Sequence, residues 1–207
     1  MRICEKGRSM IEMLGVLAIV GVLSVGGIAG YSKAMAKYKM NTLLSQVSEL
    51  TMNIRSLYIS QGDYEGMSER VVINAGVIPN GITVTGSSQL IHILNGNIKF
   101  FESSAEDGTP KAFEMYVTGL TNLTCVNFAT MDWGQDPASG FQAMFVGTGE
   151  ITSQQLYDVH GPSDSDPDNG IYTNGKHVNA LPLGVTEASR QCACSTNECV
   201  VGLKYFL

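Results

Sequence analysis

Lys6-Gly7-Arg8-Ser9-Met10-Ile11-Glu12 leads directly into Met13–Gly30, MLGVLAIVGVLSVGGIAG, a run of eighteen residues without a charge. A helix rises about 1.5 Å per residue, so this run would be about 27 Å long, close to the thickness of a bilayer's hydrocarbon core. One membrane span is the first reading, with a buried core helix and a cleaved secretory signal as rivals. The run exceeds a usual signal h-region, and no small-x-small site follows it before the helical pattern resumes, which counts against the signal. Arg2, Lys6 and Arg8 precede the run and Lys33, Lys37 and Lys39 follow it, so flanking charge does not choose an orientation.

Glu12 stands at the mouth of this run. A carboxylate in hydrocarbon costs about 2.5–3.5 kcal/mol at mid-span and less near an end. Either it snorkels to the interface or it awaits a cation from another chain. Gly26, Gly27 and Gly30 each weaken a helix by about 1 kcal/mol relative to alanine. They mark a stretch that can extend or melt, or, with Gly26 and Gly30 spaced G-x-x-x-G, one that packs closely on another helix.

Beyond the span the pattern turns amphipathic. Met40, Leu43, Val47, Leu50, Ile54 and Leu57 recur at three- and four-residue steps, and Gly62 is a helix stop. One helix from about Ser9 to Gln61, roughly 80 Å long, is predicted. Its amphipathic half covers only about two and a half heptads, which favours packing on the protein's own sheet over a two-chain coiled coil. In the remainder, Val71–Gly81 reads as a short packed connection. Gln89–Leu94 and Ile98–Glu102 flank Asn95-Gly96-Asn97 as a hairpin. Ala112–Val117, Phe141–Val146 and Glu198–Phe206 read as strands. Thr121–Met131 reads as a helix carrying Cys125, and a small helix ends near Cys192. The predicted architecture is α+β, with one long helix against an antiparallel sheet.

Composition sets further bounds. The 207 residues are 44% hydrophobic and 15% charged, which suits one apolar segment attached to an ordinary globular part. A net charge of −6 argues against a nucleic-acid-coating surface. His92, His160 and His177 are scattered, and no nucleophile elbow, phosphate loop or dinucleotide fingerprint is present, so no enzymatic reading arises. Asp164, Asp166 and Asp168 alternate as in calcium loops, but the glycine comes one place late and position twelve is Gly175 rather than glutamate. A solvated acidic loop is the first reading and calcium the alternative. Of the five cysteines, Cys4 is N-terminal, whereas Cys125, Cys192, Cys194 and Cys199 lie in the distal half. Those four allow three disulfide pairings, or a zinc cluster.

Lys6-Gly7, Arg8 to Glu12 and the apolar run together resemble the class III leader of type IV pilins and pseudopilins. The resemblance implies residues 1–7 as a leader, 8–61 as the long helix with 8–30 its transmembrane and assembly segment, and 62–207 as the globular head. It implies cleavage after Gly7 by a prepilin peptidase, N-methylation of Arg8, and Glu12 as the carboxylate that meets a neighbouring subunit's amine during polymerisation. Two departures stand out: Arg8 occupies a usually hydrophobic position, and the first proline is Pro79 rather than one within the span. Removing Arg2, Glu5 and Lys6 takes away one net positive charge, so −6 becomes −7, and Cys4 goes with them.

In the head, Leu57-Tyr58-Ile59, Tyr64, Gly66, Ile78-Pro79 and Thr124–Thr130 are similar to type IVb pilins of the bundle-forming and conjugative thin-pilus kinds. That resemblance implies a long-range bridge Cys125–Cys192, which leaves Cys194–Cys199. It further implies a homo-oligomeric filament, a precursor held in the inner membrane with its head in the periplasm, and display of the assembled pilus on the cell surface. The expected partners are an inner-membrane platform, an assembly ATPase and a secretin, with no cofactor and no direct nucleic-acid contact. The rival functions are a pseudopilin of a type II secretion system and a membrane-anchored adhesin that never polymerises.

Overall fold

A computed structural model describes residues 10–105, 107–134, 139–160, 162–173, 181–195 and 198–207. Helix α1 runs Met10–Tyr58, 49 residues or about 74 Å. The chain divides into two compact units between Asn41 and Thr42. Met10–Asn41 of α1 lies in the first unit and Thr42–Tyr58 in the second. The second unit continues with α2 (Glu69–Asn74), β1 (Thr83–Thr85), β2 (Gln89–Ile91), β3 (Asn97–Ser103), β4 (Ala112–Leu120), α3 (Asn122–Thr130), β5 (Phe141–Thr148), β6 (Ile171–Thr173), α4 (Val185–Gln191) and β7 (Cys199–Phe206). Among the described residues the strands form one sheet of order β1-β2-β3-β4-β7-β5-β6, every neighbouring pair antiparallel.

Within the head, α1 buries Leu43, Gln46, Val47, Leu50, Thr51, Ile54 and Tyr58. The apolar members meet Phe100, Phe113, Met115, Val201, Leu203 and Tyr205 from one face of the sheet in a shared core. The stripe departs from the sequence reading at its end. Leu57 stays 37% exposed while Tyr58, one position on, is 4% exposed. Both fit the periodicity; Tyr58 wins because its ring meets Tyr64 at 5.2 Å, and Tyr64 in turn meets Phe113 at 4.9 Å. The helix stops where Gly62 takes φ +87° and donates its N–H to Tyr58 O.

The hairpin forms, but β2 ends at Ile91 and the turn spans His92–Gly96. Asn95 carries φ +64°, and the His92 N–H donates to Gly96 O. Strand β4 runs on to Leu120, with a register shift after Val117 that Gly119 permits at φ +73°. Helix α3 is capped by Thr121, whose hydroxyl accepts from Thr124 N at 3.2 Å.

The sheet's other face is covered by residues 149–160, which have no regular structure. Ile151 packs with Tyr116 and Val200, and Leu156 and Val159 with Ala143. Polar groups sew this loop down. Glu114 is fully buried and accepts from Ser103 Oγ at 2.8 Å, from the Tyr116 hydroxyl, and from Leu156 N at 3.1 Å. Lys204 is its cross-strand partner on β7, equally buried, and donates to the carbonyls of Leu156, Tyr157 and Val159 at 2.9, 3.1 and 2.9 Å. Burial pushes the Lys204 ammonium down to about 8, with Glu114 the foremost opposing influence, so it remains charged at neutral pH and can use all three N–H groups. Lys204→Met would strand three carbonyls and leave Glu114 without a facing cation. A loss of about 3 kcal/mol is expected in denaturant unfolding of the full chain.

His92, on the opposite side of the hairpin turn from β3, is 2% exposed. Its Nε2 lies 2.9 Å from Thr118 O and its Nδ1 accepts from Leu94 N at 3.2 Å, which selects the neutral tautomer with the proton on Nε2. Burial lowers its pKa, and the bond to Thr118 offsets only part of that. Because the folded value lies below the unfolded one, the unfolded chain takes up the proton first, so the contribution is intact above pH 6.5 and lost as pH falls below it. Melting followed from pH 7.5 to pH 5 should show wild type losing stability more steeply than His92→Gln.

Candidate assembly segment and disulfide region

From Met10 to Tyr31 the helix presents apolar side chains all round and buries none of them. Met10 is 86% exposed, Val22 75% and Ile28 68%. Helices of this kind are stable only where hydrocarbon or other helices cover them. By length and composition the segment qualifies as a membrane span. Glu12 sits in the first described turn, exposed, where a carboxylate complements the positive end of a helix dipole. Gly7 and Arg8 lie outside the described residues. Gly26, Gly27 and Gly30 are helical, with no atom within 4 Å of where a Cβ would stand, so another helix could approach there.

The head's distal half is fastened by two disulfides. Cys125 on α3 is bonded to Cys192 at the C-terminal end of α4, with Cα atoms 5.7 Å apart. Cys194 is bonded to Cys199, which opens β7, with Cα atoms 5.4 Å apart. This is the pairing that the type IVb resemblance implies, and it consumes the sulfurs that a zinc cluster would need. Nearby, the Tyr172 hydroxyl donates to Glu187 Oε1 at 2.6 Å, and Arg190 pairs with the same oxygen at 2.6 Å, which holds the Glu187 carboxyl below its usual range.

In the acidic loop, two of the three aspartates accept hydrogen bonds from their own turn. Asp164 accepts from His160 N at 2.8 Å and from Ser163 Oγ at 3.2 Å. Asp166 caps the short turn Pro167–Asn169, accepting from the Asn169 backbone N–H at 3.4 Å and its side-chain amide at 2.8 Å. These carboxylates are engaged in turn capping, and Gly170 closes the turn at φ +74°. Among the described residues, the set of three or more potential metal-ligand groups within 4.8 Å of one another is Cys125, Cys194 and Cys199, all of them in disulfides. His177 and Gly175 lie outside the described residues.

A long helix with an uncovered apolar N-terminal half, an antiparallel sheet packed on its other half and a disulfide-fastened C-terminal region together define a type IV pilin of the IVb kind. The bundlin family model matches residues 33–162, and the chain belongs to that family. It is 25% identical over 203 residues to the major structural subunit of the bundle-forming pilus of Escherichia coli EPEC, covering 98% of this chain and 94% of that one. It is 24% identical over 130 residues to the toxin coregulated pilin of Vibrio cholerae, covering 61% and 57%. Among solved structures, the crystal structure of TcpA, a type IV pilin from the Vibrio cholerae El Tor biotype, superposes with a TM-score of 0.54 at 16% identity, covering 81% of this chain and 98% of that one. The type IVb pilin from Salmonella typhi gives 0.50 at 16% identity, covering 78% and 97%.

Proposed function

We propose that this chain is a structural subunit of a type IV pilus, stored as a membrane-anchored precursor and polymerised through its N-terminal helix. The observation that carries this reading is the uncovered apolar surface from Met10 onward, on a helix whose other half is built into a folded head. A lipid bilayer covers such a surface in the precursor, and copies of the same helix cover it in a filament. The leader resemblance supports cleavage after Gly7 and methylation of Arg8. It also supports Glu12 as the group that meets the free amine of the adjacent subunit. Two opposite charges tolerate a low-dielectric core together, whereas either alone is penalised, so the pair rewards one stagger between helices. The domain scheme follows: leader 1–7, long helix 8–61 and head 62–207.

The partners of this reading are a prepilin peptidase, an inner-membrane platform, an assembly ATPase and a secretin. The precursor resides in the inner membrane with its head in the periplasm, and the filament stands on the cell surface. Its work is assembly rather than catalysis. The testing experiment is the intact mass and N-terminal sequence of material sheared from cells that make the protein. A start at Arg8, with or without one methyl group, in an abundant sheared fraction is expected. A start at Met1 confined to membranes would overturn the reading.

A further inference from the structure

The head's two disulfides form one sulfur cluster. The Sγ atoms of Cys125, Cys194 and Cys199 lie within 4.8 Å of one another, although Cys125 is bonded to Cys192. Cys125, Cys192 and Cys199 are buried, while Cys194 is half-buried between the exposed Ala193 and Ser195. One bridge therefore has an accessible end, and its other end stands against a second, buried bridge. Thiol–disulfide exchange requires an attacking thiolate, access and a sulfur within reach. This arrangement supplies all three once the outer bridge is opened.

We propose that the cluster is a thiol–disulfide relay, in which a small thiolate that opens Cys194–Cys199 passes the break on to Cys192 and leaves α3 fastened to β7 by a Cys125–Cys199 bond. The thiolate attacks Cys194 Sγ, forming a mixed disulfide there, and the electron pair of the broken bond goes to Cys199. Cys199 attacks Cys125 Sγ; the new bond forms, the Cys125–Cys192 bond breaks, and Cys192 leaves as a thiolate that takes a proton from water. One thiolate enters and one leaves, so the sequence needs no oxidant beyond the two existing bridges. Backbone anchoring sets its direction. Cys199 is paired on both sides, with Leu120 of β4 and Thr148 of β5, and cannot carry its thiolate to water. Cys192 is as buried as Cys199 in the folded head, but it caps the short helix α4 outside any strand pairing and beside exposed Ala193, so once unbonded it can turn toward water. A buried thiolate is thereby exchanged for one that can be solvated. The consequence is selective: the core staple survives, while α4 loses its covalent tie and is held by buried Ala188 and by polar contacts through Glu187, Arg190 and Gln191.

The test is mild exposure of the folded, full-length protein to limiting glutathione, followed by acid quench, alkylation and peptide mapping by mass spectrometry. The expected modified species carries glutathione on Cys194, an alkyl group on Cys192 and a Cys125–Cys199 cross-link. Glutathione on Cys194 with Cys199 alkylated and Cys125–Cys192 intact would overturn the proposal, as would no reaction by the folded protein where the denatured chain reacts. Cys194→Ser gives a second readout without reductant. After folding and incubation it should hold both Cys125–Cys192 and Cys125–Cys199 isomers; the first isomer alone would also overturn the relay.

Discussion

Cells making Glu12→Ala in place of the wild-type chain are expected to accumulate the protein in membranes at normal levels while losing surface filaments by about a hundred-fold or more. The magnitude follows from the environment. Among exposed charges a carboxylate–amine pair contributes little, but breaking a buried pair strands the remaining charge at a cost of about 3–5 kcal/mol. At 1.4 kcal/mol per ten-fold, each subunit addition would weaken by two orders of magnitude or more. Glu12→Gln keeps the shape and removes the charge, so it should fail nearly as badly, whereas Glu12→Asp should retain part of the yield. The measurement is filament protein in a sheared fraction against membrane-retained protein, by immunoblot. Normal filament yield from Glu12→Ala would remove the charge-pair role of Glu12 in assembly, whereas protein confined to membranes in wild type and variant alike would favour the non-polymerising membrane-anchored reading.

The second large effect concerns the head. Removing the long-range bridge with the double change Cys125→Ala and Cys192→Ala frees a loop closed across a separation of 67 residues, and should destabilise the head by roughly 4 kcal/mol through the entropy of the unfolded chain. Opening Cys194–Cys199, with a separation of 5, should cost roughly 2 kcal/mol. Urea midpoints of full-length protein in detergent would order the variants: wild type, then Cys194→Ala with Cys199→Ala, then the long-bridge variant. A head that loses about half its stability margin should be degraded before export, so filament yield should fall for a reason separable from Glu12, through lower total protein.

Much of the molecule can be read from one dimension because its strongest signals are local. Eighteen uncharged residues following a glycine and a glutamate need no tertiary context to identify an apolar helix. Leu43, Val47, Leu50 and Ile54 need only helical periodicity. The stripe reads to Leu57 in the sequence, whereas the structure buries Tyr58 instead, because Tyr64 on the next segment supplies its partner. The covering of the outer face was not legible. Lys204 lies in an alternating strand at a position that reads as solvated, and Glu114 likewise, yet each is buried by a loop whose contribution is its backbone N–H and C=O groups. Those groups are present at nearly every residue and leave no compositional mark. Strands β1 and β6, three residues each, were too short to carry a pattern. The acidic run Asp164–Asp168 suits a turn and a ligand loop alike, because aspartate caps backbone N–H groups as readily as it binds cations.

The proposed function turns on copies of this chain being held together by their N-terminal helices, with Glu12 facing a neighbour's N-terminal amine. A helical reconstruction by electron cryomicroscopy of filaments sheared from producing cells tests it most directly. The expected reconstruction has the Met10–Asn41 helices bundled along the filament axis, the heads outside, and each Glu12 carboxylate within salt-bridge distance of the Arg8 α-amine of an adjacent subunit. Filaments whose core is built from other segments, or with Glu12 facing solvent, would contradict it.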